Sequence, residues 1–260
     1  MAMRRPSRPV ANAAAVRGKP GGRPGGGEPW LYGLHAVTSA LANPARRVRR
    51  VLVTEEAEAA IGRVVPRPWA VGPERVERAK LDALLGRETV HQGMALLADP
   101  LPVPRLEEVL ERPGPVLVLD QVTDPRNVGA ILRSAAAFGA AAVVVQERHA
   151  PEETGALAKA ASGALEIVPL LRAVNLSRTL AALKAAGLWV VGLDAGGGVL
   201  RGEDFAQRRV ALVLGAEGDG LRRLTREGCD EICGLHMPGQ MESLNVSVAA
   251  AVALYEFARG

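Results

Sequence analysis

Residues 210–221 read VALVLGAEGDGL, an apolar run that leads directly into a loop with three glycines and two acidic residues. Five consecutive apolar residues bounded by such a loop are typical of a β-strand that is buried on both faces. Glycine allows the backbone to turn sharply and to approach a ligand closely. The stretch therefore predicts a parallel sheet with a functional loop at the carboxyl end of one strand.

Further apolar runs alternate with helical patterns on both sides of this stretch. The predicted strands are Val116–Leu119, Ala142–Val145, Glu166–Val168, Leu188–Leu193, Val210–Leu214 and Glu231–Leu235. The predicted helices are Val128–Phe138, Glu152–Ala161, Leu176–Ala186, Leu221–Arg226 and Val246–Ala258. This alternation predicts an α/β fold with a parallel sheet covered on both faces, in which ligands bind at the carboxyl ends of the strands. The loops expected to hold the site follow Leu119, Leu193, Leu214 and Leu235.

The part of the chain before this alternation divides into three segments. Residues 1–29 hold six Lys or Arg, one Glu and many Pro and Gly, which predicts a disordered basic tail. That tail is either inert or an arm attracted to RNA phosphate. Residues 30–99 predict a small α/β unit, and residues 100–114, which begin PLPVP, predict a linker and a short helix before a main domain at 115–260. Within the small unit the predicted helices are Tyr32–Ala42 and Glu74–Leu85, and the predicted strands are Arg50–Val53, Trp69–Val71 and Met94–Ala98.

Composition and missing motifs exclude several classes of protein. No run of 18 uncharged apolar residues is present, and the tail lacks the apolar core of a secretory signal, so a cytoplasmic protein is expected. Cys229 and Cys233 are interpreted as buried thiols, with a metal or redox pair as the weaker alternative. Neither GxGxxG after the first strand, nor a Walker A sequence, nor HExxH occurs, which disfavours a Rossmann dehydrogenase, a P-loop enzyme and a zinc hydrolase. No metal site is expected.

Three segments at the predicted strand ends carry polar groups that could do chemistry. Residues 127–133 read NVGAILR, residues 214–221 read LGAEGDGL, and residues 237–247 read MPGQMESLNVS. In the first segment Asn127 could cap a helix, and Gly129 would leave space beside Arg133 on one face of that helix. Helix capping and solvation account for each segment by itself, whereas the ordered set points to a shared site.

These segments resemble the three motifs of the SpoU/TrmH family of RNA ribose 2′-O-methyltransferases, N-x-G-x-x-x-R, L-G-x-E-x-x-G-L and a segment that ends in S-L-N-V-S. Upstream, the segments that begin at Tyr32, Asn43 and His91 resemble the amino-terminal domain of the large-subunit rRNA guanosine methyltransferases. The resemblance covers about 230 of the 260 residues. It implies a knotted (trefoil) parallel-sheet SPOUT methyltransferase domain preceded by a small α/β RNA-binding domain. It also implies S-adenosyl-L-methionine as the cofactor, RNA as the partner and a homodimer whose site draws on both subunits.

The resemblance further implies roles for individual residues. The implied catalytic residues are Asn127, Arg133, Glu217, Ser243 and Asn245, and the implied cofactor-binding residues are Gly215, Leu235, Met237 and Leu244. Arg133 is either a base or a cation that holds phosphate and stabilises a developing alkoxide. A guanidinium keeps its proton above pH ~12, which favours the second role. His236 stands where the family has proline, so the third motif departs from the usual pattern there.

The implied function is S-adenosylmethionine-dependent methylation of a ribose 2′-OH in structured RNA, with a guanosine of large-subunit rRNA as the favoured target. The alternatives are a tRNA 2′-O-methyltransferase, a non-catalytic RNA-binding dimer and a base methyltransferase of another knotted branch. Helix Val246–Ala258 is apolar nearly all round, which fits burial by core and partner subunit. The basic run at 46–50 is interpreted as a solvated edge or as a surface for an RNA hairpin.

Overall fold

The computed structural model describes residues 29–148, 150–216, 218 and 220–260. Within these residues the strands form one four-stranded sheet and one six-stranded sheet. The predicted basic tail lies outside the described residues except for Pro29. None of the helices in the described part combines the length and the apolar composition needed to cross a bilayer.

The first sheet belongs to the amino-terminal unit and has the strand order β1-β4-β2-β3. Its strands are β1 (Trp30–Tyr32), β2 (Val48–Val53), β3 (Glu74–Arg75) and β4 (Met94–Ala98), and its helices are α1 (Leu34–Ala42), α2 (Glu55–Gly62) and α3 (Arg78–Leu85). Strand β4 pairs antiparallel with both β1 and β2 and is buried at every position. A central strand with both faces covered explains why Met94–Ala98 is apolar throughout.

The predictions for this unit are partly wrong. The helix predicted from Tyr32 begins at Leu34, because Gly33 with φ of 88° separates it from β1. No strand forms at 69–71, and the helix predicted from Glu74 begins only at Arg78, since Glu74 and Arg75 pair with β2 instead. Helix α2 was not predicted, although Thr54 caps it by accepting from the Ala57 backbone N–H.

The second sheet has the strand order β10-β8-β9-β5-β6-β7, and every neighbouring pair is parallel. Its strands are β5 (Val116–Leu119), β6 (Ala142–Gln146), β7 (Leu170–Ala173), β8 (Trp189–Val199), β9 (Val210–Leu214) and β10 (Glu231–Gly234). The helices of this unit are α4 (Leu106–Leu110), α5 (Pro125–Ala137), α6 (Gly155–Ala161), α7 (Leu176–Ala185), α8 (Arg223–Glu227) and α9 (Val246–Arg259). The predicted α/β fold with a parallel sheet is confirmed.

Alternate residues of these strands face two separate apolar cores. The residues packed with α5, α6 and α9 include Leu117, Leu119, Val143, Val145, Leu212 and Leu214. The residues packed with α4 and α7 include Val116, Val118, Val144, Ala211 and Val213. Burying one such Val or Leu side chain stabilises the fold by about 1.5–3 kcal/mol, which is why the strands are apolar without interruption.

Two elements of the second sheet differ from the prediction. The strand predicted at Glu166–Val168 is wrong: Ala164–Glu166 forms a 3-10 turn and β7 begins after Pro169. The strand predicted to end at Leu193 continues to Val199, so β8 includes the glycine triplet 196–198. The adjacent residues Ile232 and Cys233 of β10 pair with Gly192 and Gly198 of β8. The residues of β8 between Gly192 and Gly198 therefore bulge out of the pairing between these two strands.

Candidate active site

Four strands that precede the predicted site loops are neighbours in the second sheet, in the order β10-β8-β9-β5. All four run parallel, so their carboxyl ends meet at one edge of the sheet. The segments after Leu119, Leu214 and Leu235 therefore converge as expected. Residues 193–197 of β8, which bulge out of the pairing with β10, lie at the same edge.

The start of α5 differs from the predicted cap. Asp124 caps the helix by accepting a 2.8 Å hydrogen bond from the Arg126 backbone N–H, and Pro125 is the first helical residue. Asn127 is therefore inside the first turn and is not the cap. Its side chain is left to make tertiary contacts.

Asn127 joins the first motif to the third. Asn245 donates from Nδ2 to Oδ1 of Asn127 at 3.1 Å. Asn245 itself caps α9, with its Oδ1 accepting from the backbone N–H of Ser247 at 2.9 Å and from Ser247 Oγ at 2.6 Å. Because Ser247 occupies the oxygen of Asn245, the amide nitrogen is oriented towards Asn127.

Arg133 lies six residues after Asn127 on α5, which places it about 9 Å further along the helix axis and about 120° round it. Its side chain is exposed, and it forms no hydrogen bond or ion pair with any residue that the structure describes. The structure thus brings Asn127 and Asn245 together but does not join Arg133 to them within one chain.

Gly129 serves helix packing and does not provide the predicted space for a ligand. A Cβ atom there would lie 2.5 Å from the carbonyl oxygen of Leu157 and 2.7 Å from Cβ of Ala160. Gly129 is buried where α5 crosses α6. The absence of a side chain lets the two helices approach closely.

The glycines of the second motif allow its loop to fold back on itself. A Cβ atom on Gly215 would lie 2.2 Å from the carbonyl carbon of Gly220, and Ala216 pairs with Gly220 in an antiparallel bridge. Gly218 and Gly220 have φ of 87° and 63°, values that favour glycine. Glu217 and Asp219 lie outside the described residues.

An ion pair that sequence reasoning missed holds the end of this loop. Asp120, fully buried directly after β5, accepts from Arg222 Nε at 2.7 Å and from the Arg222 backbone N–H at 3.2 Å. Arg222 also donates to the side chain of Gln146, at the end of β6, at 3.0 Å. The position of Asp120 directly after a buried apolar strand could have indicated this pair, because a carboxylate buried there needs a charged or hydrogen-bonding partner.

A second missed ion pair holds the bulged part of β8. Arg226 of α8 pairs with Asp194 in this bulge, and Oδ1 of Asp194 lies 2.8 Å from the place where a Cβ of Gly220 would stand. The bulge of β8 and the loop after β9 are thus held together by charge and by the close approach that Gly220 allows.

The third motif has an irregular backbone. Residues 235–245 form neither helix nor strand, although they connect β10 to α9. Leu235 and Met237 are half-buried, whereas Ser243 and Leu244 are exposed. The segment therefore presents backbone polar groups and apolar side chains at the same edge of the sheet.

The sequence matches known families over both units. Residues 114–255 match the family model described as the SpoU rRNA methylase family, and residues 30–104 match the model described as RNA 2′-O ribose methyltransferase substrate binding. The chain belongs to the SpoU rRNA methylase family. The resemblance inferred from the three motifs is confirmed.

Relatives of similar length support this membership. The chain is 42% identical over 247 residues to the 23S rRNA (guanosine-2′-O-)-methyltransferase RlmB of Pseudomonas putida, a match that covers 88% of this chain and 95% of that protein. The RlmB of Haemophilus influenzae is 41% identical over 240 residues, with 88% of this chain and 96% of that protein covered. The crystal structure of the SpoU methyltransferase AviRb from Streptomyces viridochromogenes with AdoMet has a TM-score of 0.71 at 25% identity over 90% of each chain.

The residues at the sheet edge fit the cofactor of the family, S-adenosylmethionine. Its adenine and amino acid groups need hydrogen bonds, and irregular backbone at 235–245 leaves N–H and C=O groups outside any helix or strand. Half-buried Leu235 and Met237 supply apolar surface for a purine face.

Both cysteines are free thiols, and Cys233 is buried as predicted, whereas Cys229 is only half-buried. Burial raises the pKa of Cys229 and of Cys233 to about 11, so both remain protonated and unreactive near neutral pH. Among the residues that the structure describes, no group of three or more His, Cys, Asp or Glu side chains is placed to hold a metal ion.

The basic run at 46–50 is neither a uniformly solvated edge nor an unpaired patch. Arg46 is buried and pairs with Glu166 of the second unit at 2.6 Å. Arg49 pairs with Asp99 at 2.5 Å and Arg50 with Glu74 at 2.7 Å, both on the surface. Carboxylates thus offset much of the positive charge on which the interpretation as an RNA surface depended.

Proposed function

We propose that this protein transfers the methyl group of S-adenosylmethionine to the 2′-hydroxyl of a guanosine in large-subunit ribosomal RNA. The observation that carries the proposal is the contact between Asn127 and Asn245, which unites the first and third motifs at the carboxyl edge of the sheet. The RlmB relatives, 42% and 41% identical over 88% of this chain, are named 23S rRNA (guanosine-2′-O-)-methyltransferases, which supports guanosine in 23S rRNA as the target.

The chemistry requires a weak nucleophile to be activated and held in line with its electrophile. Bound S-adenosylmethionine would supply the electrophilic methyl group on a sulfonium: as the O–CH3 bond forms the S–CH3 bond would break, S-adenosylhomocysteine would be the leaving group, and the hydroxyl proton would be released to solvent. The exposed guanidinium of Arg133 holds the RNA phosphate and stabilises the negative charge that develops on the 2′-oxygen. Asn127, oriented by Asn245, and Ser243 hydrogen-bond the ribose and fix the direction of attack.

The remaining positions of the second and third motifs complete the proposed site. Glu217 orients Arg133 or the neighbouring loop. The residues proposed to contact the cofactor are Gly215, Leu235, Met237 and Leu244. The carboxyl-terminal third of the chain is proposed to form the trefoil knot that holds the cofactor. Residues 30–99 are proposed to bind the RNA, and residues 100–114 are proposed to link the units. Residues 115–260 are proposed to transfer the methyl group.

The active form is proposed to be a homodimer in the cytoplasm. Val248, Val252 and Tyr255 of α9 are exposed by 47%, 38% and 52%, and their spacing places them on one face of the helix. Helix α9 packs against α5, and the rings of Phe138 and Tyr255 meet edge-on at 6.3 Å. A second copy on this face would cover the apolar side chains and bring partner groups to Arg133, which a single chain leaves without a partner among its described residues.

The substitution Val252→Asp tests the dimer. A charge in a buried apolar interface lacks a partner, so we expect a monomer by light scattering and at least about tenfold less methyl transfer. Val174→Asp, at a valine after β7 that is 61% exposed, is the matched control and should leave both properties unchanged. A Val252→Asp protein that remains dimeric, or a fully active monomer, would contradict the proposal.

The proposed activity is tested with labelled S-adenosylmethionine and three RNA samples, which are protein-free 23S rRNA, large-subunit particles and bulk tRNA. We expect label on one guanosine ribose of 23S rRNA, located by reverse-transcription stops at low deoxynucleotide concentration. Label on tRNA ribose would favour the tRNA alternative, label on bases would indicate a base methyltransferase, and no label on any sample would favour a non-catalytic RNA-binding dimer.

A further inference from the structure

A buried ion network connects the two units of the chain. Nη2 of Arg46 lies 2.6 Å from Oε1 of Glu166, and Nε of Arg46 donates to both carboxylate oxygens at 3.1 and 3.2 Å. Asn43 Nδ2 donates to Glu166 at 2.7 Å, and Nη1 of Arg46 donates to the carbonyl of Asp99 at 2.9 Å. The Arg46 and Glu166 side chains are only 2% and 6% exposed.

The two units also pack closely against each other beside this network. A Cβ atom on Gly155, the first residue of α6, would lie 2.3 Å from Cε1 of Tyr32 and 2.4 Å from the carbonyl oxygen of Trp30. A Cβ atom on Gly163 would lie 2.2 Å from Oγ of Ser39. Glycines at these two positions therefore let β1 and α1 lie directly against α6 and the turn that follows it.

A third contact crosses the same boundary. Lys159 of α6 donates to the carbonyl of Val90, and its ammonium lies 5.8 Å from the centre of the Tyr32 ring. The three sets of contacts lie along α6 and the turn after it. They therefore oppose both sliding and rotation of the amino-terminal unit.

Such a network restricts orientation more than it adds stability. Removing two charges from water offsets most of their mutual attraction, so a buried ion pair contributes little net free energy, whereas an incorrectly docked pair would leave a charge buried without a partner. Burial also raises the pKa of a second carboxyl group, Glu153, whose Oε2 lies 4.0 Å from Arg46. In the observed docking geometry Nε, Nη1 and Nη2 of Arg46 all have acceptors.

We propose that Arg46 and Glu166 are positioning residues for the RNA substrate. They hold the amino-terminal unit in one orientation on the methylase unit, so that RNA bound by the first reaches the second at a set distance and angle. This inference rests on the proposed function, because it concerns how rRNA is presented to the same site. It assigns the arginine at position 46 to docking between the units and not to contact with RNA.

Substitution of the pair by apolar residues of similar length separates positioning from stability. In Arg46→Met the buried carboxylate loses its partner, so the thermal midpoint falls, amide hydrogen exchange in α1 and α6 accelerates, and kcat/KM for 23S rRNA falls on the order of 10²-fold. The double variant Arg46→Met with Glu166→Met removes the unpaired carboxylate and should recover most of the midpoint, although Asn43 and the Asp99 carbonyl lose their partners, yet it should retain the RNA defect. The Kd for S-adenosylmethionine should stay within about twofold in both variants, because the cofactor site is not part of the network.

Two further variants make the test specific. Gly155→Ala inserts a methyl group between the units without changing any charge and should reproduce the RNA defect. Arg105→Met removes an exposed arginine whose ion pairs, among the residues that the structure describes, are with nearby Glu107 and Glu108, and it should behave as wild type.

The inference is overturned if Arg46→Met and Gly155→Ala methylate rRNA as Arg105→Met does. It is also overturned if the double variant regains both stability and rRNA activity, since the pair would then be structural only. Failure of the proposed function gives a different result, namely no methylation of rRNA by the wild-type protein.

Discussion

Arg133→Ala is expected to lower kcat for rRNA methylation by about 10²–10³-fold, the usual effect of removing one charged donor from a site where negative charge develops. Arg133 is exposed on α5 and has no hydrogen bond or ion pair with the described residues, so its removal should not destabilise the fold. Single-turnover methyl transfer with saturating RNA measures the effect directly. The thermal midpoint and the Kd for S-adenosylmethionine should remain close to the wild-type values.

Arg178→Ala is the matched control for this experiment. Arg178 is an exposed arginine on α7, which packs on the opposite face of the sheet from α5. Its replacement should leave kcat unchanged. Arg133→Lys separates charge from geometry, because an ammonium retains the charge but lacks the planar fork that binds phosphate with two parallel hydrogen bonds. Wild-type rates for Arg133→Ala would remove Arg133 from the proposed mechanism.

Gly129→Ala is expected to destabilise the protein by about 1–3 kcal/mol, although alanine is the better helix former by about 1 kcal/mol. The added methyl group would lie 2.5 Å from the backbone oxygen of Leu157, so α5 and α6 must move apart. For a chain of this size the thermal midpoint falls by about 2–4 °C for each kcal/mol. Thermal and urea unfolding followed by circular dichroism measure the loss.

Gly62→Ala is the matched control for this substitution. Gly62 is also helical, at the end of α2, and nothing lies within 4 Å of the position of its missing Cβ. Its replacement should be neutral or slightly stabilising, because only the helix propensity changes. Equal effects at positions 62 and 129 would contradict the close approach of α5 and α6.

Local sequence patterns predicted most of the second sheet. Uninterrupted apolar runs located β5, β6 and β9, because a strand covered on both faces must be apolar at every position. The prediction failed at β7, where Pro169 and the preceding turn displace the strand by four residues from its expected start. In the amino-terminal unit, β3 has only two residues and depends on pairing with β2, so no periodic signal could identify it.

The candidate site, like the fold, was predicted only in part. The resemblance of the motifs to the SpoU/TrmH family implied roles for Asn127 and Asn245, and the alternation of strands and helices predicted that their loops would meet. Local reading of the first motif led to a wrong cap at Asn127 and to a wrong reason for Gly129. The ion pair between buried Asp120 and Arg222 was missed, since the two residues are 102 positions apart.

By itself, the sequence determined the α/β class, the order of the strands along the chain, the family and the polar groups available for chemistry. Only the tertiary structure decided which of those groups touch. Arg46 illustrates the difference: it lies in a run of arginines typical of an RNA surface, yet it is buried against Glu166, 120 residues further along the chain. Periodicity and capping report the immediate environment of each residue, whereas contacts between distant residues depend on how completed elements pack together.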